Sequence, residues 1–135
     1  MTDAVHLDLH DDQKTFRPGD PVEGVISWSV EQAPKSAEVI LFWFTEGKGT
    51  RDTSIVDRMI VNQPEPADSR IFSLRLPDHP YSFSGTLISL QWAIEAIIEP
   101  GHHVQRRVLV VSPTMQEIDL RTFSTGDGAG RGDGR

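Results

Sequence analysis

Leu76-Pro77-Asp78-His79-Pro80-Tyr81-Ser82-Phe83-Ser84-Gly85-Thr86 is a kinked, proline-punctuated loop, and it feeds directly into the apolar segment Leu87 to Ile98. From Ile88 onward every second side chain is hydrophobic: Ile88, Leu90, Trp92, Ile94, Ala96 and Ile98. That is the period of a strand with one buried face. Gln91, Glu95 and Glu99 also fall at i, i+4 spacing, so an amphipathic helix competes for the same residues. The neighbouring segments all read as strands and the period-two set is uninterrupted, so the pattern predicts one dominant central strand fed by a loop.

Outward from this strand, Pro100-Gly101 is a turn signal and Val104 to Val111 reads as a hairpin partner. On the other side, Phe72, Leu74 and Leu76 alternate with Ser73 and Arg75 as another strand. Glu38 to Thr45 holds Val-Ile-Leu-Phe-Trp-Phe, a strand covered on both faces or one whose outer face meets something. Whichever of Phe42, Trp43 and Phe44 points away from the core needs a cover, from the protein itself, a partner or a second copy. Gly47-Lys48-Gly49 breaks this run as a turn, Ser54 to Val61 reads as a weaker strand, and Asn62 to Ser69 as an exposed loop.

Nearer the N-terminus, Val5, Leu7 and Leu9 alternate with His6, Asp8 and His10, and Val22, Gly24, Ile26, Trp28 and Val30 alternate with polar partners. Between these two strands Phe16-Arg17-Pro18-Gly19-Asp20 has the chemistry of a type II turn, with Pro presetting its φ and Gly accepting a positive one. Thr114 to Phe123 adds a last short strand. Ser124 to Arg135 is Gly-rich with almost nothing to bury, which predicts a flexible tail on a single domain spanning residues 1–123. Seven or eight short strands with turns near every tenth residue point to an all-β fold, an antiparallel two-sheet immunoglobulin-like sandwich, with a barrel as the alternative.

Composition narrows the function classes. At 135 residues the chain holds one core, and with no cysteine it has neither disulfides nor thiolate chemistry, which fits a reducing cytoplasm. No signal peptide is expected, since Met1 to Leu9 carries two Asp and no basic stretch. No run of about 18 apolar residues predicts membrane insertion. A net charge of -7 argues against nucleic acid as a partner.

Two motifs taken in order resemble the arrestin-like family, which includes arrestins, retromer Vps26-type subunits and bacterial sporulation-control proteins. Phe16-Arg17-Pro18-Gly19-Asp20-Pro21-Val22-Glu23-Gly24-Val25-Ile26 is similar to the family's aromatic-x-Pro-Gly-acidic-x-Val-x-Gly hairpin. Leu76-Pro77, Pro80-Tyr81-Ser82-Phe83-Ser84-Gly85, Ile88 and Trp92-Ala93-Ile94-Glu95-Ala96 are similar to its Leu-Pro loop and the long strand after it. The match runs from about Val5 to Ser112, and each Gly in it serves a backbone geometry or close approach that a Cβ would obstruct. The resemblance implies an arrestin-type sandwich and a non-enzymatic adaptor or scaffold that binds other proteins along strand edges and end loops. Typical members carry two such sandwiches, whereas this chain holds one.

Few residues group into chemistry. His102 and His103 beside Arg106 and Arg107 make a local basic patch at a hairpin, a candidate interaction surface on an otherwise acidic protein, although Arg106 and Arg107 face opposite sides of a regular strand. His6, Asp8 and His10 share one face of a strand at i, i+2, i+4. Neighbours there lie about 6.7 Å apart and could grip one ion, while the outer pair at about 13 Å cannot join them. A small ligand-binding or metal-dependent domain using these residues is therefore the rival to the adaptor reading, and a wet edge-strand face is the plain explanation.

Ser82 and Ser84 near Asp78 and His79 lack a Gly-x-Ser-x-Gly elbow and read as loop chemistry. No phosphate-cradling Gly-Lys-Ser/Thr loop occurs, Asp11-Asp12 diverge on a strand, and Arg131-Gly132-Asp133 is a coincidence of tail composition. No catalytic residue, cofactor or resident metal is expected. A protein partner of unknown identity is, and homo-oligomerisation through a sheet face or unpaired edge is a further expectation.

Overall fold

The period-two segment is strand from end to end. Ile88–Glu99 pairs antiparallel with Ser36–Gly47 along its whole length, from Gly47↔Ile88 to Ser36↔Glu99. The competing helix would leave that edge without its ladder, and the period-two set would lose its common face. The structure, a computed structural model, describes residues 4–47, 51–85, 87–114 and 116–119. The expected turn at Gly47-Lys48-Gly49 and the tail from Ser124 lie largely or wholly outside these.

In chain order the strands among the described residues are β1 (Ala4–Leu9), β2 (Thr15–Phe16), β3 (Pro21–Ser29), β4 (Ser36–Gly47), β5 (Thr53–Ile60), β6 (Ala67–Arg75), β7 (Phe83–Ser84), β8 (Ile88–Glu99), β9 (His103–Val111) and β10 (Ile118–Asp119). They form a three-stranded sheet in the order β1-β3-β6 and a seven-stranded sheet built on β5-β4-β8, with β9 and β7 sharing the far edge of β8. All the long pairings are antiparallel. Two short ones are parallel, β2 with β9 and β10 with β7. Segments of two residues have no periodicity to read, which is why these pairings do not show in the sequence.

The inner faces of both sheets meet in one core. Val5, Leu7, Val22, Ile26, Trp28, Phe72 and Leu74 come from the smaller sheet and Val39, Leu41, Leu90, Trp92, Ile94, Ile98, Leu109 and Val111 from the larger. Each such side chain removed from water contributes about 1.5–3 kcal/mol. Ile88 departs from the expected inward set: it is 42% exposed, because the strand overhangs the core opposite Gly47. β6 also starts earlier than the loop expected up to Ser69. Register with β3 extends it to Ala67, placing Asp68 opposite Trp28, a pairing that no apolar alternation announces.

Two indole N–H groups fix loops to this core: Trp92 donates to Pro80 O at 3.0 Å and Trp28 to Glu65 O at 2.6 Å. Ser82 is buried and replaces a strand residue. Its backbone N–H donates to Val111 O at 2.8 Å, and its hydroxyl accepts the Val111 N–H at 2.9 Å.

The two sequence motifs that carry the family resemblance are bonded to each other. Gly19, at φ +85°, forms the expected turn, closed by Asp20 N–H to Arg17 O at 3.1 Å and by Arg17 N–H to the Asp20 carboxylate at 2.9 Å. Its N–H then donates to Pro77 O at 3.2 Å, the Leu76 N–H donates to Asp20 O at 3.0 Å, and Arg75 Nη1 donates to Gly19 O at 2.9 Å.

Candidate interaction surface

The outer face of the larger sheet is not a wet face. β4 alternates its long apolar run across the sheet, so that Val39 and Leu41 enter the core while Ile40, Phe42 and Phe44 stand on the other side. There Ile40, Phe42 and Ala93 form a second buried cluster, with Phe44 and Ile97 packed against it. Trp43 packs toward the main core, so the outward aromatics are Phe42 and Phe44. Their rings lie 5.9 Å apart, tilted by 34°.

Arg106 supplies part of the cover. It stands opposite Glu95 in the β8–β9 ladder, donates from Nε to the Glu95 carboxylate at 2.9 Å, and lays its guanidinium 5.1 Å from the Phe42 centroid and 5.4 Å from that of Phe44. The aromatic faces attract the cation while its stem shields them. Arg58 and Glu38 make a second ion pair across this face, at 3.3 Å. Around these pairs, Ile55 (46% exposed), Ile60 (61%) and Val108 (51%) remain open to solvent. The register puts Ile55, Phe42, Ala93 and Val108 in a single cross-strand row.

At the β8–β9 turn the Glu99 carboxylate accepts the His102 N–H at 3.0 Å and meets His102 Nδ1 at 3.0 Å. The His102 side chain first, with the backbone bond after it, holds the Glu99 carboxyl below the usual glutamate range. Gly101 at φ +93° and His102 at φ +50° close this turn. A cleft of about 240 Å³ opens beside it, lined in part by Val30, Glu31, Pro34, Glu99 and His103.

The four residues read from sequence as a basic patch are therefore distributed. His102 is at the turn, His103 lines the cleft, and Arg106 lies on the outer face. Arg107 is opposite Ile94, on the inward side of β9, where it donates to Gln105 Oε1 at 3.2 Å and Arg106 O at 3.1 Å.

The His6, Asp8, His10 set is divided by the backbone. β1 ends at Leu9, and His10 enters a 3-10 turn, His10–Asp12, where its Nε2 sits 3.3 Å from Asp11. His6 and Asp8 stay on the exposed outer face of β1. Among the described residues no group of three or more His, Asp or Glu side chains is placed to hold a metal ion. Ser82 is occupied by Val111, and Ser84 donates to Glu117 at 2.8 Å, so neither hydroxyl faces a histidine. Ile55, Ile60 and Val108 escaped the sequence reading. The available signal was the second apolar set of β9, Val104 and Val108, running beside the core set Leu109 and Val111.

This architecture, two sheets of unequal size locked at one end by the paired Pro-Gly and Leu-Pro segments, is the arrestin-like sandwich. It superposes on the crystal structure of Spo0M, a sporulation control protein from Bacillus subtilis, with a TM-score of 0.62 and 16% sequence identity over 82% of this chain and 49% of that one. The chain thus spans about half the length of Spo0M. No protein-family model matches the sequence, and no curated protein matches it. Among the described residues no helix is long and apolar enough to cross a membrane.

Proposed function

We propose that this chain is a non-enzymatic protein-interaction module, an adaptor or scaffold of the cytoplasm, that meets its partner with the outer face of its larger sheet. The observation that supports this reading is the second apolar cluster around Phe42, with Ile55, Ile60 and Val108 exposed beside it. Arg58 and Arg106 are already matched, by Glu38 and Glu95, and Glu46 at the end of the face meets the neutral Gln91 amide, so among the described residues the face offers no unmatched cation to a polyanion. An apolar protein surface fits it better than a polyanion does. Arg106 forms part of its rim, and the turn at His102 and His103 is the adjoining contact.

The test is co-purification from the native host with wild type and with the double variant Ile60→Asp, Val108→Asp. Both positions are exposed, so the variant folds with a thermal midpoint close to wild type, and any specific partner is lost. Retention of the same partner by the folded variant overturns the assignment to this face. Recovery of a stoichiometric metal lost on His6→Ala favours the metal-dependent reading.

A further inference from the structure

A sheet edge exposes backbone donors and acceptors, and what binds it is another extended strand. Among the described residues β6 pairs on one side only, with β3. The bonds Leu76 N–H to Asp20 O and Val30 N–H to Pro66 O set the phase of that ladder. Even-numbered residues of β6 exchange bonds with β3, while Ser69, Ile71, Ser73 and Arg75 direct theirs outward. Two of the outward N–H groups are capped by carboxylates: that of Ser69 by Asp68 at 2.8 Å and that of Arg75 by Asp57 at 3.1 Å. Between the two caps the edge is open at Ile71 to Ser73, with no strand paired to it among the described residues. Ile71 is 81% exposed, and Val25, its neighbour in the ladder, is 37% exposed.

We infer that β6 pairs antiparallel with β6 of a second copy, about a two-fold axis passing between the two Ile71 residues, joining the two small sheets into one continuous sheet. This goes beyond the proposed function and uses a different surface from the face around Phe42. In this register Ile71 stands opposite Ile71 of the second copy, giving a cross-strand row Val25-Ile71-Ile71-Val25 that is apolar throughout.

Ser69 faces Ser73 of the second copy, two small hydroxyl side chains. Arg70 faces Phe72, Asp68 faces Leu74 and Arg75 faces Ala67, so no like charges oppose one another. Ile71 N–H donates to the carbonyl of its symmetry mate, and Ser73 N–H donates to the carbonyl of the other Ser69, each bond made twice. Shifting the axis one residue back sets Arg70 against Arg70, and one residue forward sets Phe72, a core residue, at the centre. The two-fold register at Ile71 avoids both.

The absence of cysteine from the chain makes the register directly testable in the full protein. In an antiparallel hydrogen-bonded pair Cα atoms lie about 5.5 Å apart, within disulfide range. Ile71→Cys is therefore expected to cross-link into a dimer under mild oxidation, while Ile60→Cys and Val108→Cys on the outer face of the larger sheet do not. Sedimentation equilibrium of the wild type is expected to show a reversible dimer.

Ile71→Lys, which sets two cations face to face, weakens that dimer by about tenfold or more. Ser73→Pro removes an N–H that the ladder phase directs away from β3 and that no bond among the described residues uses, so it folds and dissociates as well. The double variant Ile60→Asp, Val108→Asp remains dimeric, which separates this inference from the proposed function. A wild type that is monomeric at every concentration, a dimer indifferent to both Ile71→Lys and Ser73→Pro, or cross-linking of Ile71→Cys no faster than the two controls overturns it.

Discussion

At Gly24 a methyl group has nowhere to go. A Cβ built there stands 2.1 Å from the carbonyl oxygen of Asp8 and 2.9 Å from Phe72 Cζ, and the first of these is backbone that cannot swing aside. β1 runs alongside β3 here, with Leu9 opposite Gly24. Gly24→Ala is therefore expected to cost about 1–3 kcal/mol, the range of an overpacked core, read as a shift of the urea midpoint. A loss below about 0.5 kcal/mol, the scale of ordinary surface substitutions, contradicts the close-approach argument. Gly19 serves the other purpose a glycine can serve, a positive φ in a turn. Both positions stand out in the sequence as part of one motif, yet only coordinates separate a turn glycine from a contact glycine. The clash partner of Gly24, Asp8, lies in another strand.

Among the elements, the β8–β9 hairpin is closed by an ionisable side chain and so responds to pH. Glu99 is bonded to His102 through its carboxylate, and its pKa is lowered in the fold. A depressed carboxyl contributes fully above its unfolded pKa, and the contribution disappears as pH falls through the folded value. Acidification therefore loosens the turn. In an NMR titration the His102 amide is expected to shift with a midpoint below that of a free glutamate, and Glu99→Gln removes the transition. A midpoint at or above the free value contradicts this.

The hairpin itself was legible from Pro100-Gly101 and the strands flanking it, as were the long alternating strands β1, β3 and β8. Elements held by backbone register alone were not. The first residues of β6, Ala67 to Arg70, carry no apolar alternation, and β2, β7 and β10 are too short to have any period. The end of β1 at Leu9 was hidden for a related reason: His10 continues the alternation, but the chain turns there with Asp11 at φ +55°.

For the molecule as a whole, a single core spanning both sheets implies a single unfolding event. Trp28 reports from the smaller sheet and Trp92 from the larger, and both are buried in that core. Urea transitions followed by tryptophan fluorescence and by far-ultraviolet circular dichroism are expected to share one midpoint. Separate midpoints contradict a single unfolding event.

The candidate surface was only half visible at this scale. The apolar run of β4 raised the question of an outward aromatic, and the structure answers it with Phe42 and Phe44. That Arg106 covers them depends on the β8–β9 register, and that His102 lies elsewhere depends on the turn, whereas the divergence of Arg107 from Arg106 follows from the pleat and was legible in the sequence. The bonding of the Phe16–Asp20 turn to the Leu76–Pro77 segment has one more consequence. Neither stretch is a self-sufficient module, since each supplies the carbonyl or amide that the other lacks. Because the acceptors, and the amides of Gly19 and Leu76, are backbone groups, a substitution in either stretch disturbs the other only by changing the path of the chain, as Gly19→Ala at φ +85° would.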